Sequence, residues 1–259
     1  MTATLPEVVE VDQSIPQRGG LLAAALPAPE GWERGLVIPF YGCGEPELLN
    51  GCMVGEDLAK RDGVAAFRSF EIRQGAACST LSNQPDRYRD HARGRLDATS
   101  EWGLGRQFAT DFLGLGNPSL ADAIVLGTVA GADFVAAVGC LEQAAADAGF
   151  GSSWFLHAPV RAAAYLSTAD QISIDGYSAA GAPWAISSGY PVEDATTIRL
   201  WATGPVWAAK GESFILDDTD WRRNTNEAYA SNVGIAAFDP CINIAIDVTV
   251  PACPVPAGS

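Results

Sequence analysis

Histidine is the side chain best suited to moving protons near neutral pH, and this 259-residue chain has two, His91 and His157. His91 sits in the run RYRDHARGR, among Arg87, Arg89, Arg93 and Arg95, where the sequence identifies no carboxylate to orient it. A solvated surface residue is expected. His157 follows the apolar run Trp154, Phe155, Leu156 and precedes Pro159, a setting for a structural histidine that hydrogen-bonds backbone in a turn.

Nucleophiles are as sparse. Gly176-Tyr-Ser178-Ala-Ala-Gly181 misses the nucleophile elbow GxSxG by one residue, because Ala180 stands where the second glycine is needed. The elbow glycines relieve crowding around a strained serine, and here neither a strong preceding strand nor a following helix is evident. A serine hydrolase using Ser178 and His157 is therefore a distant alternative. Gly103-Leu-Gly105 and Gly114-Leu-Gly116 do not extend to GxGxxG, and no GxxxxGK[ST] exists. The acidic runs Glu45/Glu47, Glu56/Asp57 and Asp217/Asp218/Asp220 lack the calcium-loop pattern and read as solvated loops. Whether a carboxylate pair lies at glycosidase distance is a question of three-dimensional structure. The sequence thus assigns no catalytic, cofactor-binding or metal-binding residue. Trp102, Trp154, Trp184, Trp201 and Trp207 could form a stacking platform, but tryptophans spread through a chain rich in glycine and proline suit core and subunit contacts better.

Composition narrows the class. Hydrophobic residues at 48% and charged ones at 18% exclude a disordered chain, and the length suits one large domain or two interleaved ones. A net charge of -15 argues against a surface that grips phosphate by counterion release. No apolar run reaches the length of a membrane span, and the opening MTATLPEVVEVDQ lacks the basic start of a secretory signal, so a cytosolic product is expected. In that compartment Cys43, Cys52, Cys78, Cys140, Cys241 and Cys253 should be reduced thiols. Cys140 is expected in the core, and Cys43 and Cys52 bracket a loop.

The elements that must position these residues centre on Asp133 to Leu166. Phe134, Val135, Val138, Cys140 and Leu141 recur at roughly helical spacing in an alanine-rich run ending at Gly149 and Gly151. A short strand follows at Trp154 to Leu156, and Pro159 opens a second helix, Val160 to Leu166. Upstream, residues 1 to about 34 are punctuated by Pro6, Pro16, Pro27 and Pro29 and read as an extended arm that either wanders in solution or lies along a neighbouring subunit. LVIPFYG, a loop from Cys43 to Asp62 and FRSFEIRQGAACS read as a long hairpin or tongue.

Pro85 opens a long amphipathic helix to about Phe112, with Tyr88, Ala92, Leu96, Thr99, Trp102 and Phe108 on its apolar side. Gly94, Gly103 and Gly105 weaken it by about 1 kcal/mol each relative to alanine, so packing must hold it. Ser119 is a candidate helix cap. Brief strands are expected at ISIDGY, WAISSGY and TIRLWATGPVWAA, then, after a polar stretch from Asp217 to Asn226, at YASNVGIAAF and INIAIDVTV. In the last, Ile242, Ile244, Ile246, Val248 and Val250 alternate with Asn243, Ala245, Asp247 and Thr249. The class is α+β with mostly antiparallel sheet.

The order of these segments resembles major capsid proteins of tailed bacteriophages, the Hong Kong 97-type fold shared with encapsulins. FRSFEIRQGAACS before a long helix, an alanine-rich helix ending in GFGSSWFLHAPVRAAAYL, then WAISSGYP, LWATGPV and NEAYASNVGIAAFDPCINIAIDV carry the resemblance, which covers most of the chain after about residue 35. It implies an N-terminal arm (1–34), an extended-loop region (35–82), a peripheral domain with the spine helix (83–116), an axial domain (117–206), and return strands of the peripheral domain with a C-terminal tail (207–259). It implies no enzyme activity and no cofactor. The implied role is a virion protein, assembled in the host cytoplasm as pentamers and hexamers around double-stranded DNA held weakly on the inner face. Scaffolding, portal or decoration proteins are the implied partners, with no membrane. A minor coat or tail component is the alternative, and no motif places the family's Lys and Asn crosslink.

Overall fold

In a computed structural model of the chain, residues 20–40, 63–79, 85–149, 153–220 and 225–252 are described. The Cys43 to Asp62 loop, with its cysteine and acidic pairs, lies outside them. The described chain starts with a one-turn helix α1 (Leu21–Ala24), a short strand β1 (Leu26–Pro27) and a 3-10 turn at Trp32–Arg34. Strands β2 (Leu36–Phe40) and β3 (Gly63–Phe67) form a hairpin whose second strand is GVAAF rather than the expected FRSFEIRQGAACS, paired antiparallel from Leu36 opposite Phe67 to Phe40 opposite Gly63. The segment FRSFEIRQGAACS is broken at Arg68 and Ser69, and β4 (Phe70–Ser79) starts a different sheet. Asn117 staples the break. Its side chain accepts from the Arg68 N–H at 2.8 Å and donates to the Arg68 carbonyl at 3.1 Å.

The long helix α2 (Pro85–Thr110) runs as expected, but its buried stripe differs. Tyr88, Ala92, Leu96, Ser100, Leu104 and Phe108 are buried, one every fourth residue, which is the ridge a helix lays into a groove. Trp102, expected on this side, is 48% exposed, because two residues from Leu104 is more than half a turn round the helix. Gly105 has a packing reason, while Gly94 has open space around it. A β-carbon at Gly105 would collide with the Ser187 hydroxyl, and one at Gly189 would collide with the Trp102 carbonyl and come within 2.5 Å of the Arg106 nitrogen. Two backbones meet there without side chains between them.

Ser119 does cap, closing a reciprocal capping box with Asp122 on a 3-10 turn rather than an α-helix. Then come β5 (Ile124–Val129), α3 (Phe134–Gly149), β6 (Phe155–Pro159) and, after a 3-10 turn, α4 (Ala163–Thr168), the helix, strand, helix order read from the sequence. The segment ISIDGY is not a strand. Asp175 and Gly176 turn the chain, with Gly176 at φ +83°, and Ser173 and Tyr177 close the turn through backbone. Strands β7 (Trp184–Ser187), β8 (Thr197–Thr203), β9 (Val206–Lys210), β10 (Phe214–Asp220), β11 (Thr225–Phe238) and β12 (Asn243–Thr249) follow. Strand thus continues through the polar stretch to Asp220 and resumes at Thr225.

Two five-stranded sheets result. In one, β11 is long enough to pair with β4 along one edge and with β10 and then β9 along the other, while β1 extends β9 in parallel. Helix α2 packs across β4 and β11, seating Tyr88, Ala92 and Leu96 against Ala228 and Ala230. The other sheet runs β5-β12-β8-β6-β7, with β5 and β7 joined in parallel and the rest antiparallel. On α3 the residues that pack against this sheet are Phe134, Ala137, Val138, Leu141 and Ala145. Val135 and Cys140, expected with them, are exposed, and Cys140 is a free thiol. Cys241 is disulfide-bonded, contrary to the expectation of reduced thiols throughout. Residues 20–34 also depart from expectation, since Leu21 is wholly buried in its own chain's core.

Candidate functional site

His157 lies at the centre of β6, not in a turn, and is fully buried. Its partners are side chains rather than backbone: Nδ1 is 3.0 Å from the Tyr190 hydroxyl and Nε2 is 2.9 Å from Thr203 Oγ1. Burial among Phe108, Tyr190 and Trp201 pushes its pKa down to about 3, so the imidazole is neutral. A neutral ring with both nitrogens engaged and no path to solvent is a core bracket between β6, β8 and the turn after β7. It cannot cycle protons with a substrate.

Ser178 is equally occupied. Its hydroxyl donates to Glu142 on α3 and accepts from the Ala182 N–H at 3.1 Å, inside a turn completed by Gly181 at φ +89°. Neither His157 nitrogen is bonded to it, so the pair does not form a nucleophile and base. His91 is exposed, as expected. Among the described residues no group of three His, Cys, Asp or Glu could hold a metal ion. Asp217 is paired instead with Arg89 at 3.1 Å. An open cleft of about 470 Å³ is lined by Leu26, Trp154, Phe155, Tyr177, Pro183 and Pro205, with Tyr177 as its one ionisable side chain. It offers shape without acid or base chemistry. Of the tryptophans, Trp184 and Trp201 are 2% exposed and belong to the core.

What the surface does offer is unpaired apolar structure. Along the β2–β3 hairpin Ile38, Ala65 and Phe67 point into the core, while Val37 and Val64, 66% and 65% exposed, stand on the opposite face with Pro39 and Ala66. Both faces of this ribbon are apolar. One satisfies its own chain; the other is left exposed among the described residues. Strand β5 is a sheet edge, and its Ile124, Val125 and Leu126 are all exposed. At the end of α2, Phe112 and Leu113 are exposed on a turn held by Asp111, whose carboxylate accepts from the Leu115 and Gly116 N–H groups at 3.1 and 2.8 Å. Arg106 lies over the Phe112 ring at 5.7 Å. The apolar run of LVIPFYG was visible in the sequence, but which face the core takes was not.

Among the described residues no helix is long and apolar enough to cross a membrane. No protein-family model matches the chain, and no curated protein matches it. Solved structures do. A chain from Gordonia phage Cozz superposes with a TM-score of 0.59 at 14% identity, over 96% of this chain and 92% of that one. The capsid of a native GTA particle gives 0.58 at 14%, over 97% and 94%. The capsid of Ralstonia phage GP4 gives 0.54 at 10%, over 99% and 96%. Identity this low carries no residue-level equivalence, but agreement along nearly the whole of each chain fixes the architecture: this is the Hong Kong 97-type fold.

Proposed function

We propose that the chain is a structural subunit that assembles with copies of itself into the icosahedral head shell enclosing the double-stranded DNA of a tailed phage. The observation that carries this reading is the β2–β3 hairpin, whose outward face of Val37, Pro39, Val64 and Ala66 is apolar and bare. A monomer gains nothing from such an outward face, whereas a repeated contact between copies buries it in every subunit. The end-to-end likeness to chains that include two capsids supports the reading. So does the occupied state of His157 and Ser178, which leaves neither free for chemistry.

In this proposal residues 1–34 are the arm, 35–82 the extended-loop region, 83–116 the spine-helix part of the peripheral domain, 117–206 the axial domain, and 207–259 the return strands and tail. Copies gather as pentamers and hexamers. With a net charge of -15 the inner face holds DNA weakly and without sequence preference, and scaffolding, portal or decoration proteins are the further partners of such a shell. Electron microscopy with mass determination on the recombinant chain tests it. Closed shells or ring-shaped capsomers are the expected result, and a monomer at every concentration and salt would overturn it.

A further inference from the structure

The open cleft of about 470 Å³ has no acid or base to offer, but its walls have a definite chemistry. Trp154, Phe155 and Tyr177 line it together with Pro183, Pro205 and Leu26, and none of its described lining residues is charged. The Trp154 Nε1 donor is buried with no hydrogen-bond partner, an unfavourable state that an incoming acceptor would relieve. Aromatic walls and an indole N–H in want of a carbonyl are the parts with which grooves hold proline-rich segments in the extended polyproline II form.

Such a segment is present in the chain itself. Val250 to Ser259 reads VPACPVPAGS, and the spacing PxxP occurs in the sequence only here, at Pro251 and Pro254, with Pro256 following. The segment has no charged side chain. Two copies of net charge -15 repel, and an uncharged segment entering an uncharged cleft adds nothing to that repulsion. Its own cleft is out of reach. The segment leaves the sheet at the start of β8, where the Val250 N–H donates to the Thr196 carbonyl at 2.8 Å and Arg161 Nη2 donates to the Pro251 carbonyl at 3.0 Å. The cleft is at the other end of β8, where Phe155 pairs with Thr203 and Pro205 follows. The stretch from Thr196 to Pro205 is mostly strand and separates the two ends by about 25–30 Å. Even fully extended, the backbone carries Pro256 no more than about 18 Å from Pro251.

We infer that the cleft is a polyproline-type docking site for the Pro251 to Pro256 segment of a second copy of the chain. This rests on the self-assembly reading above and adds a specific contact to it. In the docked state the prolines pack on Trp154 and Tyr177, and the half-buried Trp154 ring turns its N–H to a carbonyl of the segment.

Fluorescence anisotropy tests this with a labelled peptide of residues 250–259, carrying Cys253→Ser against oxidation. The receptor is the full chain with Pro254→Ala and Pro256→Ala, whose own segment then does not compete. Saturable binding is the expected result, weakened by about tenfold or more when the receptor also carries Tyr177→Ala, an exposed side chain whose loss leaves the core intact. Alanine at both prolines of the peptide should weaken it as much. No binding, or equal binding of the proline and alanine peptides, overturns the inference. Shells or capsomers from the parent chain without peptide binding remove only this contact, whereas peptide binding without shells or capsomers removes only the shell.

Discussion

Strand β12 alternates apolar with polar or small residues, whereas the β2–β3 hairpin is apolar at almost every position, and the two end in opposite situations. Ile244, Ile246 and Val248 of β12 face the core under α3, and Ala245 on its other side reaches the core that joins the sheets. Its one charge, Asp247, is held by Arg199 at 2.7 Å. Every apolar side chain of β12 is consumed inside the chain. The hairpin spends one face on the core and leaves Val37 and Val64 exposed on the other, so its second apolar face is more than the core uses.

This contrast can be broken or sharpened by substitution. Trp201→Ala, beside β12 in the shared core, should lower unfolding free energy by about 3–5 kcal/mol in denaturant titration. The His157 bracket should show as acid sensitivity. Its folded pKa of about 3 lies below the unfolded value of 6.5, so the unfolded chain binds the extra proton and stability falls as pH drops through that window. The slope should approach about 1.4 kcal/mol per pH unit and flatten in His157→Gln. Gly189→Ala should cost about 1–3 kcal/mol, because the obstructing atoms are backbone of α2 and cannot swing away. Gly94→Ala, with open space around the new carbon, should instead stabilise by up to about 1 kcal/mol. Smallest of all on stability, within about 0.5 kcal/mol, should be Val37→Asp with Val64→Asp, which nonetheless should abolish shells or capsomers in electron microscopy. A loss of several kcal/mol in that double variant would mean the hairpin's outer face belongs to the fold, and the contrast with β12 would collapse.

Long-range pattern was legible in the sequence. The helix, strand, helix order around Asp133 to Leu166, the length of α2 and the alternation of β12 all follow from periodicity that local chemistry enforces. Faces were harder. Val135, Cys140 and Trp102 have core-like side chains at positions that rotate to solvent, and only the partner element decides which stripe is buried. The break at Arg68 and Ser69 depends on Asn117, 49 residues away, and Gly105 of α2 makes sense only beside Ser187 and Gly189. For His157 and Ser178, the sequence signalled that catalysis was a poor reading. It could not supply Tyr190, Thr203 and Glu142 as the partners, because each is brought in from a distant segment.

The passages between the two sheets have a mechanical consequence. Chain crosses from β8 to β9 through Gly204 and Pro205, and from β11 to β12 through Asp239 to Ile242. The crossings lie side by side, with the Gly204 N–H on the Ile242 carbonyl and the Asp239 N–H on the Pro205 carbonyl, each at 3.0 Å, and Gly204 leaves no room for a side chain against Asp239. The two passages, pinned to each other by these hydrogen bonds and lying beside an apolar core that takes residues from both sheets, tie the sheets together by backbone as well as by packing.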